Sequence, residues 1–304
     1  MSVCQPEWRD ENLPENQTML TDQEKANILD QAYVPEHCIC LMTQVSGGEP
    51  FLIDNFFICI NKNWLILVGY PLEGNFSVDR LEAILAKVKK KFHPDFISLI
   101  APEMPPSLAA ACRERQSDIY YTLETRGPIM RSPLKRNLKK ARQNLRVESS
   151  RCMHRVHQEL MHEFIARNRL PDRVKRLFFK MPEFVACSDR ARVLNAWDKK
   201  GKLAAFYVVD FEANRFSNYI IGCYSKKNYV LGASDLLLFE LINLSRESDK
   251  LYIHLGLGIN AGIRRFKEKW GGVSMCRYEM GELELKKPSL FEMLMSMGSL
   301  RFSV

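Results

Sequence analysis

Apolar residues recur along this chain in two alternating periods, and the alternation runs through the same order twice. Thr21 followed by Glu24 is a capping box, and the residues behind it suit a short helix ending before Pro35. Three β-rich runs follow at 38–45, 56–60 and 64–71, separated by Ser46-Gly47-Gly48-Glu49-Pro50 and Asn61-Lys62-Asn63, and they predict an antiparallel meander. In the first run Cys38 and Cys40 alternate, which would place both thiols on one side of a strand. Ser77 then caps a helix over 78–92, whose apolar positions Val78, Leu81, Ile84, Leu85 and Val88 keep helical spacing. A strand is expected from Asp95, a helix near 107–114, and a strand over 118–124.

The second half repeats that order. Strands are predicted at 192–198, 203–211 and 216–224, joined by turns at Lys199-Lys200-Gly201-Lys202 and Glu212-Ala213-Asn214. A helix over 234–248, a strand over 250–258, a helix over 260–271 and a last strand near 273–280 complete it. The fold class expected is therefore α+β with mixed sheets, in two similar units. An N-terminal arm and helix occupy 1–30, a first unit 31–125, a basic linker helix 126–150 and a second unit 151–304. The boundary is set where Gly127, Pro128 and Pro133 interrupt the pattern.

Charge changes the picture in one place. The formal net charge is +8, and seven cations fall between Arg131 and Val147 with no acid among them. A concentrated basic segment favours an anionic partner more than a uniformly basic surface does. Ser132 and Pro133 suit a helix start; Leu134, Leu138, Ala141 and Leu145 form an apolar stripe, and Lys135, Lys139, Arg142 and Arg146 a cationic row at the same spacing. Such a helix packs by its leucines and offers a ridge to phosphates, tRNA among them; a solvated basic face or a membrane-surface contact fits the same pattern. The odd number of scattered cysteines predicts reduced thiols. No secretory leader and no transmembrane run is read, so a cytoplasmic protein is expected.

Three stretches resemble the GNAT acyltransferase superfamily, and within it the Fem-type peptidoglycan aminoacyltransferases. They are the basic helix 132–147, the helix opening Gly232-Ala-Ser-Asp-Leu-Leu-Leu-Phe-Glu-Leu241, and His254-Leu-Gly-Leu-Gly258 with Ile263-Arg-Arg-Phe-Lys-Glu-Lys-Trp-Gly-Gly272. The resemblance implies two tandem GNAT-like domains, each a mostly antiparallel central sheet flanked by helices. It also implies transfer of an acyl or aminoacyl group to an amine, with acyl-CoA or aminoacyl-tRNA as co-substrate. The common GNAT cofactor pattern has Gln or Arg, then Gly three residues on and Gly or Ala five residues on. The turn 226–234 meets it in no register, a departure shared with the Fem-type enzymes.

Candidate chemistry gathers in the second half. The helix opening at Val230, Leu231, Gly232, Ala233 and Ser234 offers unpaired N–H groups to an anion, with Lys227 at its rim and Lys267 within reach; Ser234 as a plain helix cap fits equally. Acyl transfer to an amine needs a proton acceptor and an oxyanion donor. His254, at the end of its strand, is the first candidate, with Asp210 and Tyr219 on neighbouring strands as polar partners. Ile263, Phe266 and Trp270 should form the buried face of their helix and leave its cations outside. No metal is expected: the row His154, His157, Glu159 and His162 has poor ligand spacing. A Met-rich tail opened by a capping box at Ser289 and Glu292 suggests a docked terminal helix and a possible homodimer. The competing function is a non-catalytic module of the same fold that binds a polyanion through its basic helix.

Overall fold

Two-residue polar turns set the first hairpins. Asp54 and Asn55, both at positive φ, join β1 (Glu49–Ile53) to β2 (Phe56–Asn61), and Lys62-Asn63 joins β2 to β3 (Trp64–Val68). This computed structural model describes residues 20–126 and 132–285. The N-terminal arm, the Gly127-Pro128 break and the Met-rich tail with its capping box lie outside the described residues.

The capping box forms as predicted and opens α1 (Asp22–Gln31), with the Glu24 amide bonded to Thr21 Oγ1. The run 38–45 corrects the expected meander. It is a helix, α2 (Ile39–Ser46), following a single 3-10 turn at Pro35–His37 and stopped by Gly47 at φ 63°. Two apolar sides explain the misreading: Leu41 faces the helices of the second half, while Ile39 and Met42 face the first-half core. A short, nearly all-apolar run looks alike as strand or helix by period alone. Ser77 caps α3 (Val78–Phe92), which buries Leu81, Ile84, Leu85 and Val88 as its spacing predicts. Next come β4 (Phe96–Ala101), a single-turn α4 (Pro106–Ala109) where a longer helix was expected, and β5 (Glu114–Glu124), which begins four residues early.

The second half opens with the basic helix α5 (Ser132–Asn144), β6 (Leu145–Ser150), α6 (Arg155–Asn168) and α7 (Asp172–Cys187). Then follow β7 (Ala191–Asp198), β8 (Leu203–Asp210), β9 (Phe216–Tyr224), α8 (Ala233–Glu247), β10 (Tyr252–Leu257), α9 (Ala261–Lys269) and β11 (Val273–Glu284).

All strands join one sheet in the order β1-β2-β3-β4-β11-β5-β10-β9-β8-β7-β6. The middle of that order exchanges strands between halves: β11 pairs antiparallel with β4, and β5 with β10. Each half thus completes the sheet of the other. On one face of the second half, Leu134 and Leu138 of α5 pack with Leu237 and Leu241 of α8 and with Trp270. On the other, α6 and α7 pack with Cys38 and Leu41 at the start of α2. Side chains at register-paired positions share a face, so the strand pairings decide which polar groups meet.

Candidate functional site

The parallel pair β9 and β10 is short. It holds Phe216 against Tyr252, Ser217 against Ile253 and Asn218 against His254, and then stops. A bulge displaces β9 relative to β8 at Tyr219 to Ile221, and a second displaces β10 relative to β5 between His254 and Gly256, where Gly256 has φ 70°. Bulges increase local twist, and two of them past the last shared rung separate the strands.

At that rung Asp210, Asn218 and His254 fall in one register row across β8, β9 and β10. All three are sealed from solvent, at 1%, 1% and 0% exposure. Neither Asp210 oxygen, neither Asn218 amide atom and not His254 Nε2 has a hydrogen-bond partner of good geometry. Buried polar atoms are normally satisfied, so this row is exceptional. His254 Nδ1 accepts from the Gly256 amide at 3.2 Å, which leaves the proton of the neutral ring on Nε2. Tyr120 and Phe216 enclose the ring at 4.8 and 5.8 Å between centroids. Burial, and secondarily the Lys267 charge, bring its pKa down to about 3, so His254 is neutral at pH 7. Asp210 and His254, both picked out from the sequence, are therefore brought together by Asn218, which was not. Its only signal was a second polar residue, after Ser217, inside an otherwise apolar strand. Tyr219 projects to the opposite face, edge-on to Tyr207 at 4.7 Å, and burial raises its pKa.

Lys267 is turned inward rather than toward solvent. Only 4% exposed, it donates to the carbonyls of Gly256 at 3.0 Å and Leu257 at 2.6 Å, past the last residue of β10 paired to β9. Its Nζ stands 5.4 Å from the Tyr121 ring centroid. Desolvation lowers its pKa to about 7. On the same helix Trp270 is buried as predicted, but Ile263 and Phe266 are only half-buried.

The opening of α8 is covered by α5. Gly232 has φ 84°, and a Cβ there would stand 3.0 Å from the Ala141 Cβ and 3.7 Å from the Asn137 carbonyl. The glycine serves both a left-handed backbone and a close helix crossing. Ala233 is buried, the Ser234 carbonyl accepts from the Tyr207 hydroxyl at 2.9 Å, and Val230 is half-buried. Lys227 is exposed, as are Leu231 and Tyr229, at 67% and 61%. Asp235 is held by Trp270 Nε1 at 2.9 Å and Lys269 Nζ at 2.5 Å.

On α5, Leu134, Leu138 and Ala141 are buried, and Lys135, Arg136, Lys139, Lys140 and Arg142 are exposed. Arg142 lies 4.7 Å over the Phe239 ring, but the helix stops at Asn144, short of the expected 147, so Leu145 and Arg146, the last members of the apolar and cationic rows, lie on β6, where Arg146 pairs with Glu148 at 3.1 Å. Among the described residues, Lys135, Arg136, Lys139 and Lys140 have no ion-pair partner. The histidine row on α6 is not gathered as a ligand set: His157 Nδ1 accepts from the His154 amide at 2.8 Å, and Nε2 meets Asn195 Oδ1 at 2.8 Å.

No family model matches the sequence, and no curated protein matches it. Solved structures do. L-PGS from Bacillus licheniformis is 12% identical over 93% of this chain and 98% of its own, with a TM-score of 0.53. FemX is 10% identical over 86% of this chain and 96% of its own, at 0.54. A tandem GNAT protein from the clavulanic acid biosynthesis pathway is 10% identical over 88% and 96%, at 0.53. At these identities the likeness is one of fold. The chain has a mixed α/β architecture, a large mixed sheet flanked by helices, like that of these solved structures.

Proposed function

We propose that this protein transfers an acyl or aminoacyl group from an ester or thioester donor to an amine, at the opening between β9 and β10. The observation that carries the reading is the buried Lys267 ammonium at the end of β10, in a fold shared with L-PGS, FemX and a tandem GNAT protein. In such a transfer the amine nitrogen attacks the donor carbonyl carbon and the carbonyl oxygen becomes an oxyanion. The C–O or C–S bond then breaks as the amine proton passes to the leaving group. With its pKa lowered to about 7, Lys267 is protonated in part at pH 7, and in that form a cation held by two main-chain carbonyls in a dry site stabilises the oxyanion without reorganising. His254 is the less suitable proton acceptor, because a group near pKa 3 takes few protons at pH 7.

Aminoacyl-tRNA is the donor favoured over acyl-CoA. Ala141 covers the glycine that would let a pyrophosphate approach α8, whereas the unpaired cations of α5 lie along the same junction. The sealed row at His254 favours one competitor, a non-catalytic module that binds a polyanion through α5.

The test is consumption of labelled aminoacyl-tRNAs and acyl-CoAs, each with a panel of amine acceptors. Turnover with at least one aminoacyl-tRNA is expected. Lys267→Met should lower kcat/KM at least about 100-fold, and because it leaves the Gly256 and Leu257 carbonyls without their donor, circular dichroism and a thermal melt are the control that the variant is folded at the assay temperature. Salt-sensitive tRNA binding without turnover would favour the non-catalytic module. Inertness with both donor classes and no tRNA binding would defeat both readings.

A further inference from the structure

Where α2 begins it meets the end of β8, and the junction gathers Cys38, Asp210 and Glu212. One donor atom from each, the Cys38 Sγ and a carboxylate oxygen of either acid, lies within 4.8 Å of the other two. Cys38 is 0% and Asp210 1% exposed, and Glu212 is half-buried. Both Asp210 oxygens lack a partner of good geometry, and beside them in register both Asn218 amide atoms do too. Glu212 shares its two oxygens with one donor, the Cys40 amide at 3.1 Å from each, so lone pairs remain free.

Three groups that ionise to anions are thus packed together, two of them sealed from water and the third, Glu212, half-buried. The nearby Lys250 is engaged elsewhere, donating to the Ala213 carbonyl at 2.6 Å. Burial disfavours the charged form of all three groups, and the Lys250 charge offsets this only in part at Asp210. Groups so crowded must be neutralised by protons or by a cation. The Cys38 thiol and the Phe211 and Glu212 amides lie against the Asp210 carboxyl, but the sealed Asn218 amide beside it in register leaves both its atoms without a partner, which a mere proton-sharing cluster would be expected to close.

We propose that Cys38, Asp210 and Glu212 form a binding site for a divalent transition-metal cation of the zinc class, tying α2 of the first half to β8 of the second. One thiolate with two carboxylates is a donor set that zinc accepts and that magnesium and calcium do not favour. Zinc bond lengths of about 2.0–2.3 Å set ligand-to-ligand spacings near 3.5 Å, so no pair of ligand atoms need move together by more than about 1.3 Å on loading. Three protein ligands leave one position for water, with the Asn218 amide beside it. The start of α2 contributes partial positive charge that favours the thiolate and carboxylate forms. Binding displaces whatever protons the three ligands carry, one from the Cys38 thiol and a fraction from each acid, so uptake strengthens as pH rises.

The experiment strips the full-length protein with a chelator and reloads it with Zn²⁺ or Co²⁺ alone, reading metal content and near-ultraviolet absorption. About one equivalent is expected, with a thiolate-to-cobalt charge-transfer band. Both should be lost in Cys38→Ser and in Asp210→Asn, and kept in Cys152→Ser, which alters an exposed thiol. Asp210→Asn preserves shape, so with circular dichroism as control it carries the test should Cys38→Ser misfold. No uptake by the wild type, or uptake and band unchanged in a folded Asp210→Asn, overturns the site. Neither readout depends on transferase activity.

Discussion

The two halves place the same parallel strand pair at the same point of the fold and treat it differently. In the first half β3 and β4 stay in register over five rungs, from Trp64 against Phe96 to Val68 against Ile100. The Gly69 amide then bonds the Ile100 carbonyl and extends the closure. In the second half β9 and β10 part after three rungs, between two bulges. Among the described residues, β1 to β4 contribute no buried side-chain polar atom lacking a partner, whereas β8, β9 and β10 contribute the row Asp210, Asn218 and His254. The lesson is that duplication of the architecture did not duplicate a site. The zipped half is built as a scaffold, and the half that opens holds the polar groups and the buried lysine.

The sharpest way to break this contrast is to force the zipped pair apart. A Cβ at Gly69 would stand 2.8 Å from the Ala101 Cβ and 2.9 Å from Leu81 Cδ1. Gly69→Val should therefore cost about 1–3 kcal/mol of unfolding free energy, read by denaturant titration. Tyr229→Ala, in the exposed turn after β9, should stay within about 0.5 kcal/mol. Equal costs would mean that the first-half strands are not the more tightly closed pair.

Each half also buries a histidine, and the two sharpen the comparison. His37 Nδ1 accepts from the Tyr33 amide at 3.4 Å and its Nε2 donates to the Tyr70 carbonyl at 3.0 Å, so both nitrogens are partnered. His254 has one partner. His37→Phe should cost about 1–3 kcal/mol by stranding those backbone groups, while His254→Phe should cost less and could stabilise. Burial lowers the folded pKa of His37 to about 4 and of His254 to about 3. A depressed histidine contributes stability that is fully present above its unfolded value near 6.5. That contribution is lost as pH falls toward the folded value, because the unfolded chain then binds more protons. Either replacement should accordingly flatten the fall in stability between about pH 6 and pH 4, measured by thermal melts across pH. A slope unchanged in both variants would rule out His37 and His254 as its source, leaving the buried His157, whose pKa burial also lowers.

The smallest effect concerns the junction between halves. Replacing Lys135, Lys139 and Arg142 by Ala should reduce the slope of log binding constant against log salt for tRNA by about 2–3, since each phosphate contact contributes about 0.7–0.9. Arg142 is expected to contribute least because it rests on Phe239. An unchanged slope would remove α5 from the binding surface.

Helix α3 was legible because Ser77 and the spacing of Leu81, Ile84, Leu85 and Val88 agree, and α5 because its leucine and cation rows separate cleanly. Helix α2 was not, since eight nearly all-apolar residues bury two sides and leave no polar face to phase them. Asp210 stood out as a polar residue ending an apolar strand, and His254, expected at the end of its strand but lying in the middle of β10, as a lone histidine among apolar positions. Nothing local marked Asn218 as their link, or Glu212 as the partner of Cys38 across 174 positions. Lys267 was legible as a candidate but not as buried. Amphipathic period placed it beside the apolar stripe, and only the end of β10 supplied the carbonyls that draw it inward.

The sequence by itself determined most helices and strands, α2 and β6 excepted, and the concentration of positive charge on one helix, because propensity, capping and period act over a few residues. Tertiary structure alone decided that β5 and β11 change places, that one strand pair closes while its counterpart opens, and which polar groups end up together in the dark. Those outcomes depend on register and bulges between strands far apart in the chain, where a shift of one residue turns every side chain to the other face.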